Sequence, residues 1–291
     1  MNDNIISRFD RSGVPLILDG AMGSLLQMNG ITADRKRWMT DANTENPDAV
    51  LKIHQDYIAA GADIITANTF RTNPAALGFH DQHEVNRQVT AAVSLAQRAR
   101  GSSDIIIAGS NAPAEDCYQS ERQLSLYQLE QNHSEHIDLL ISSGCDFVLN
   151  ETQSHLDEIG FICSYCHLND IPFVMSLYFT HELKILSGED IRDVVKFVQN
   201  YNPAAIGFNC ITPEDMINLV RTVQIDFRWG YYLNTGCGDV NSKNISCGID
   251  AGSFIQTVKI LDAYSPCFVG ACCGSDSKHI QSLKEHYYGI S

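Results

Sequence analysis

Eight short, nearly continuous apolar runs alternate along this chain with eight longer stretches of helical periodicity, and that alternation leaves few folds open. The runs, expected as strands, cover 16–19, 63–68, 105–109, 147–150, 173–179, 205–209, 230–234 and 268–271. Strands that are apolar on both faces belong in a parallel sheet covered on both sides. Helices are expected over 47–60, 84–100, 124–142, 154–168, 188–200, 213–226, 249–263 and 276–288. Several carry start signals. Asn46-Pro47 sets an N-cap before a first-turn proline, Thr212-Pro213-Glu214-Asp215 does the same with acids in the first turn, and Ser154 stands where a cap belongs. Eight strand–helix units joined by right-handed crossovers close into a (β/α)8 barrel. A doubly wound open sheet is the structural alternative, but the strand count and the scatter of polar strand ends favour closure. No Pro/Ser-rich linker or low-complexity segment interrupts the series, so one domain is expected over 1–291, with its core at about 15–288.

Charge and composition narrow the partners. The net charge is −15, and no basic block or stripe offers a footprint for nucleic acid. The same charge opposes adsorption to anionic membranes. No apolar run reaches spanning length, and Met1 to Arg11 has no apolar stretch of signal-peptide type. Ten cysteines in 291 residues are too dilute for a disulfide scaffold. A cytoplasmic protein with reduced thiols, acting on small molecules, is expected.

A barrel places its active site at the C-terminal ends of its strands. The polar residues there are Asp19-Gly20, Asn68-Thr69-Phe70, Asn150-Glu151-Thr152, Cys210, Asn234-Thr235-Gly236 and Cys272-Cys273. Cysteines ending the sixth and eighth strands flank the seventh and can reach one metal ion. Three thiolates with an open fourth position describe a catalytic zinc site rather than a structural one. The competing reading of a buried cysteine is a small hydrophobe. An adjacent pair beside glycines, with a third thiol at another strand end, outweighs it. For Asp19 and Glu151 the competing reading is a helix N-cap. Gly20-Ala21-Met22-Gly23 lets a ligand approach the backbone after Asp19, and Glu151 directly follows an apolar run.

Leu18-Asp19-Gly20-Ala21-Met22-Gly23, Gly61-Ala62-Asp63-Ile64 with Asn68-Thr69-Phe70, Glu151-Thr152, Gly207-Phe208-Asn209-Cys210 and Gly270-Ala271-Cys272-Cys273-Gly274 together resemble the homocysteine S-methyltransferase family. Its domain also forms the homocysteine-binding module of cobalamin-dependent methionine synthases and of betaine–homocysteine methyltransferases. The resemblance runs from about Pro15 to about Tyr288. It implies that Cys210, Cys272 and Cys273 are zinc ligands and that Asp19, Gly20 and Glu151 hold the amino-acid portion of homocysteine. Asn68, Asn234 and Trp38 join them as expected substrate-binding residues. The implied reaction is zinc-dependent transfer of an electrophilic methyl group to the homocysteine thiolate, giving methionine. Zinc deprotonates a coordinated thiol, and a thiolate-rich ligand set keeps electron density on sulfur.

Two loops depart from the family pattern: Gly109-Ser110-Asn111-Ala112-Pro113-Ala114-Glu115-Asp116, and Leu233-Asn234-Thr235-Gly236, which lacks a proline before the asparagine. Betaine-using relatives carry an aromatic after the glutamate, whereas Thr152 stands here. That leans towards a sulfonium donor, S-methylmethionine or S-adenosylmethionine, with betaine, or a binding protein with a degenerate donor pocket, as alternatives. Trp38 offers a π face to either cation or simply packs. The sequence ends soon after the eighth helix, so a cobalamin or folate domain is not expected. Cys163-Ser164-Tyr165-Cys166-His167 has haem-attachment spacing but falls inside an expected helix and reads as chance. Cys237 and Cys247 flank a polar loop and are expected to stay reduced. Cys117, Cys145 and Cys267 read as incidental, and His133, His136, His279 and His286 as solvated helix residues.

Overall fold

A computed structural model describes residues 3–10, 13–237 and 245–289. The extreme ends of the expected 1–291 domain, and the middle of the polar loop between Cys237 and Cys247, lie outside them. Eight parallel strands form the barrel: β1 (Leu16–Ile17), β2 (Ile64–Ala67), β3 (Ile106–Asn111), β4 (Phe147–Gln153), β5 (Phe173–Leu177), β6 (Ala205–Asn209), β7 (Trp229–Leu233) and β8 (Phe268–Ala271). They follow one another around the sheet, with β1 paired to β8. The ring is completed by a bridge between Leu18 and Ile64, where the Asp19 amide donates to the Ile64 carbonyl at 2.9 Å. The expected barrel is therefore present, and the open-sheet alternative falls with that closure.

Outside lie α1 (Pro47–Ala60), α2 (Gln82–Arg100), α3 (Leu126–Ser142), α4 (Leu156–Leu168), α5 (Ile191–Gln199), α6 (Pro213–Thr222), α7 (Ala251–Leu261) and α8 (Ser277–Tyr288). No helix among the described residues is long and apolar enough to cross a membrane. Apolar side chains make two layers. Leu16, Leu18, Ile64, Ile106, Phe147, Leu149 and Phe268 fill the barrel axis. Phe9, just after the N-terminal helix Asp3–Arg8, plugs the bottom, edge-on to Phe147 at 5.6 Å and to Phe268 at 6.0 Å. A second, larger layer lies between sheet and helices.

The helix starts are partly as expected. Thr212 caps α6 by accepting from the Asp215 amide at 3.2 Å. Asn46 makes no side-chain cap; Pro47 alone marks that start. Ser154 is not a cap either: its hydroxyl donates to the Tyr178 carbonyl and accepts from the Leu186 amide, tying the end of β4 to the loop after β5. The fourth strand is longer than expected because it continues through Glu151 and Thr152 to Gln153, past a register shift against β5.

The histidines correct the expectation of solvated residues. His133, His136 and His279 are buried and His286 is half-buried against Asp262. On α3, Asn132, His133 and His136 face inward rather than to water. His136 contacts Asn111 at 2.9 Å and Thr72 at 2.8 Å, Asn111 donates to Asn150, and His133 contacts Glu158 at 2.6 Å. Burial holds His136 down at about 3, hence neutral. Burial alone would raise the Glu158 carboxyl. The His133 contact, the Ala114 amide and Arg122 outweigh it and hold that carboxyl down at about 2. A depressed carboxyl contributes stability that is present above its unfolded value, near 4.5, and is lost as pH falls towards 2. Glu158→Gln is therefore expected to lower Tm most above pH 5, with the gap to wild type closing at pH 3. A constant gap across thermal melts from pH 7 to 3 contradicts that assignment. Through Ala114, this network also anchors the β3–α3 loop that carries Cys117 and Tyr118 over the barrel mouth.

Candidate active site

The C-terminal strand ends enclose a pocket of about 270 Å3. Cys210 follows β6, and Cys272-Cys273 follow β8; all three line it. The Cys210 sulfur lies 3.0 Å from that of Cys272, and the Cys272 sulfur 3.9 Å from that of Cys273. Tetrahedral zinc with Zn–S near 2.3 Å sets its sulfurs roughly 3.8 Å apart. The second spacing already suits it, while the first must open by about 1 Å. In keeping with that contraction, no group of three ligating side chains among the described residues is preassembled as a metal cage. The donor set itself fits a soft, thiolate-preferring divalent ion.

The local backbone explains why these thiols converge. Cys210 has φ +59° and Thr152 also has φ +59°. Left-handed conformations are costly for residues with a Cβ, and most so for a β-branched one. Asn209 holds both. Its Oδ1 accepts from the Thr152 amide at 2.9 Å and from Ser176 at 2.7 Å. Its Nδ2 donates to Thr152 Oγ1 at 2.8 Å and to the Cys210 sulfur at 3.2 Å. On the other side, the Cys272 amide donates to the Leu233 carbonyl, and Thr235 donates to the Cys273 carbonyl through both its amide and its hydroxyl. Contacts from Cys272 and Cys273 hold the Cys210 thiol far below its ordinary range, with Thr152 and Tyr118 assisting against burial. Cys272 and Cys273 are pushed up in return, chiefly by Cys210. Ionisation of one thiol thus opposes that of its neighbours, and a divalent cation would allow all three to ionise.

The carboxylates sit beside the thiols. Burial raises Asp19 to about 7 although Thr66 donates to it through both its amide, at 2.7 Å, and its hydroxyl, at 2.9 Å. Burial raises Glu151 to about 8 against hydrogen bonds from Ser110 and, at 3.3 Å, from Tyr232. Glu151 lies within β4, so the helix-cap reading does not apply to it. Two carboxyls held near neutrality in a thiol-lined pocket are poised to ionise against a cation.

The remaining expected residues have mixed fates. Gly20 lines the pocket, but a Cβ there would stand 2.6 Å from the Tyr57 hydroxyl and 2.7 Å from Ser275. Its lack of a side chain therefore serves internal packing first. Trp38 lines the mouth with φ +50° and covers Gly23, where a Cβ would come within 2.2 Å of the indole nitrogen. Asn68 lines the pocket with both its amide hydrogens given to Met39 and Asn43, and Asn234 accepts from the Gly236 amide. Thr152 is the correction: it is fully buried behind Cys210 and does not line the pocket, because its left-handed backbone turns it towards Asn209. An aromatic wall is supplied by Phe70, Tyr118 and Trp38 instead. Cys117, read as incidental, also lines the pocket, as do Tyr118, Ser110, Tyr232 and Arg71. The loop residues had no sequence signal, since their arrival depends on the Glu158 network. Cys163 and Cys166 are buried in the outer layer, and Cys237 and Cys247 lie free on a two-stranded hairpin.

A family model described as homocysteine S-methyltransferase matches residues 16–287. The chain is 25% identical over 235 residues to the homocysteine S-methyltransferase of Escherichia coli K12, covering 74% of each chain. It is 25% identical over 295 residues to the homocysteine S-methyltransferase YbgG of Bacillus subtilis 168, covering 92% of this chain and 93% of that one. In three dimensions it is similar to the homocysteine methyltransferase MmuM of Escherichia coli. The metallated form has a TM-score of 0.78 at 22% identity over 94% of this chain and 97% of that one. The oxidized form has a TM-score of 0.79 over the same shares. The full-length match of the family model, on a closed barrel with its strand ends gathered around three thiols, decides the matter: this chain belongs to the homocysteine S-methyltransferase family.

Proposed function

We propose that this protein transfers a methyl group from a sulfonium donor to L-homocysteine, giving methionine, with zinc held by Cys210, Cys272 and Cys273. The observation that carries this reading is the meeting of three thiols and two near-neutral carboxyls in one pocket. Zinc bound there would supply an open coordination position and keep the homocysteine sulfur deprotonated. The protein's own groups do the rest. Glu151, with Asp19 beside it, receives the homocysteine ammonium and orients the amino acid. Phe70, Tyr118 and Trp38 offer ring faces to the donor's positive sulfur. The acceptor sulfur forms its bond to the methyl carbon as the donor's carbon–sulfur bond breaks, and the electron pair returns to the donor as a neutral thioether. The thiol proton leaves to solvent. Placing sulfur and methyl in line is then the main catalytic demand on the pocket.

The pocket volume favours a small donor. S-methylmethionine adds only a methyl group to an amino acid, and so suits a pocket of about 270 Å3 shared with homocysteine better than S-adenosylmethionine with its bulky nucleoside. Turnover is expected to be fastest with S-methylmethionine and slower with S-adenosylmethionine and betaine. Rates measured at equal donor concentration with zinc saturating test this. Betaine as the best donor would overturn the sulfonium assignment, and no methionine from any donor would overturn the enzyme reading. Ten cysteines with no disulfide among those described suit a reducing, cytoplasmic setting.

A further inference from the structure

A pocket built on three thiols and two carboxyls has cations on its wall that these do not explain: Arg35, Lys36 and Arg71 line it, and of the three only Arg71 is withdrawn from solvent. Arg71, two residues past Thr69 and beyond the end of β2, is half-buried and lines the pocket. Its Nη1 donates to the Pro113 carbonyl at 3.1 Å, and its guanidinium carbon lies 5.5 Å from the centroid of the neighbouring Phe70 ring. The chain has 35 acidic residues against 20 basic ones. Even so, no carboxylate among the described residues pairs with Arg71, while Arg37, Arg87, Arg100 and Arg122 all have acidic partners. A guanidinium held in place by a backbone carbonyl and a ring, with its other N–H groups unclaimed, is arranged to take a planar anion.

Which anion follows from the geometry. Homocysteine is short, and with its sulfur at the thiols its ammonium meets Asp19 and Glu151 on the barrel floor. Arg71 makes no contact with either acid; it stands beside the Phe70 ring and is tied through Pro113 to the loop after β3. The donor must enter from that mouth with its methyl group pointing at the thiols. Its carboxylate would meet two acids and three thiols of the same sign unless a cation drew it outward. We propose that Arg71 binds the carboxylate of the methyl donor and so selects carboxylated donors, an inference that rests on the methyl-transfer reading above.

Calorimetric titration of zinc-loaded protein tests this. Arg71→Gln is expected to weaken S-methylmethionine binding about ten- to hundredfold, the usual effect of losing a charge-assisted contact, and to leave homocysteine affinity unchanged. It should also collapse the preference for S-methylmethionine over trimethylsulfonium, which has the same methyl-bearing cation and no carboxylate. Arg71→Lys should recover part of the loss, since the charge remains and the fork does not. An equal loss of homocysteine or trimethylsulfonium affinity would overturn the proposal in favour of a structural role. Unaltered donor binding, or no binding of S-methylmethionine by the wild type, would overturn it as well. Arg71-dependent donor binding without methionine formation would uphold this inference and sink the methyl-transfer reading.

Discussion

Cys272→Ala is expected to release the metal and abolish methyl transfer while the barrel stays folded. Cys272 is in contact with both other thiols, Cys210 at 3.0 Å and Cys273 at 3.9 Å. Its removal leaves two sulfurs and one fewer negative charge to hold the ion. Loss of a group that merely supports a metal ligand costs roughly ten- to a hundredfold in affinity, and loss of a ligand itself costs no less. The side chain is only partly buried at the barrel mouth, so little packing goes with it. Metal analysis after dialysis, paired with a rate measurement, checks both effects. Cys210→Ala and Cys273→Ala should behave alike. Cys163→Ala and Cys166→Ala should keep metal and activity, because both thiols lie in the apolar layer outside the sheet. Full zinc content in a Cys272→Ala/Cys273→Ala double variant would remove this cluster from the mechanism.

Glu151→Gln is expected to weaken homocysteine binding by about one to two decades, the usual loss for a charge-assisted contact, with metal content unchanged. The same substitution has a second expected effect of opposite sign. Burial raises the Glu151 carboxyl to about 8. A raised carboxyl binds its proton more tightly folded than unfolded, so folding loses stability as pH climbs from the ordinary carboxyl range, near 4.5, through about 8. The neutral glutamine escapes that loss and still meets Ser110 and Tyr232. Substrate-free Glu151→Gln should therefore melt higher than wild type at pH 9 and no higher at pH 5. Unchanged homocysteine affinity would reassign Glu151 to a structural role. A higher Tm at pH 5 as well would mean that packing, not ionisation, sets the difference. A binding site that costs its own fold stability is the expected signature of a group kept for a ligand's charge.

What could be read without the structure was what local pattern encodes. Apolar runs at 64–67 and 205–209 report strands because a strand buried on both faces needs an apolar residue at every position. Cys210 and Cys272-Cys273 each follow an apolar run, with Gly274 turning the chain after the pair, and a barrel gathers all such strand ends on one face whatever fills the loops. The thiol positions therefore followed from the order of elements alone. The histidines of α3 did not. His133 and His136 fall where residue type predicts a solvated helix face, and only the paired demands of Asn111, Thr72 and Glu158 bring that face inward.

The sequence by itself determined the barrel and the gathering of the three thiols with Asp19 and Glu151 at one end of it, because each depends on residue type at a fixed place along a strand. Tertiary structure alone decided that Thr152 turns behind Cys210, that Asn209 holds both left-handed residues, and that Cys117 and Tyr118 reach the pocket. It also decided that Arg71 stands unpaired among the described residues against Phe70 and Pro113. These outcomes depend on hydrogen bonds between residues far apart in the chain, such as Glu158 with the Ala114 amide or Asn209 with Thr152. No periodicity records such pairs, since their partners are chosen by the closing of the barrel and not by the order of residues.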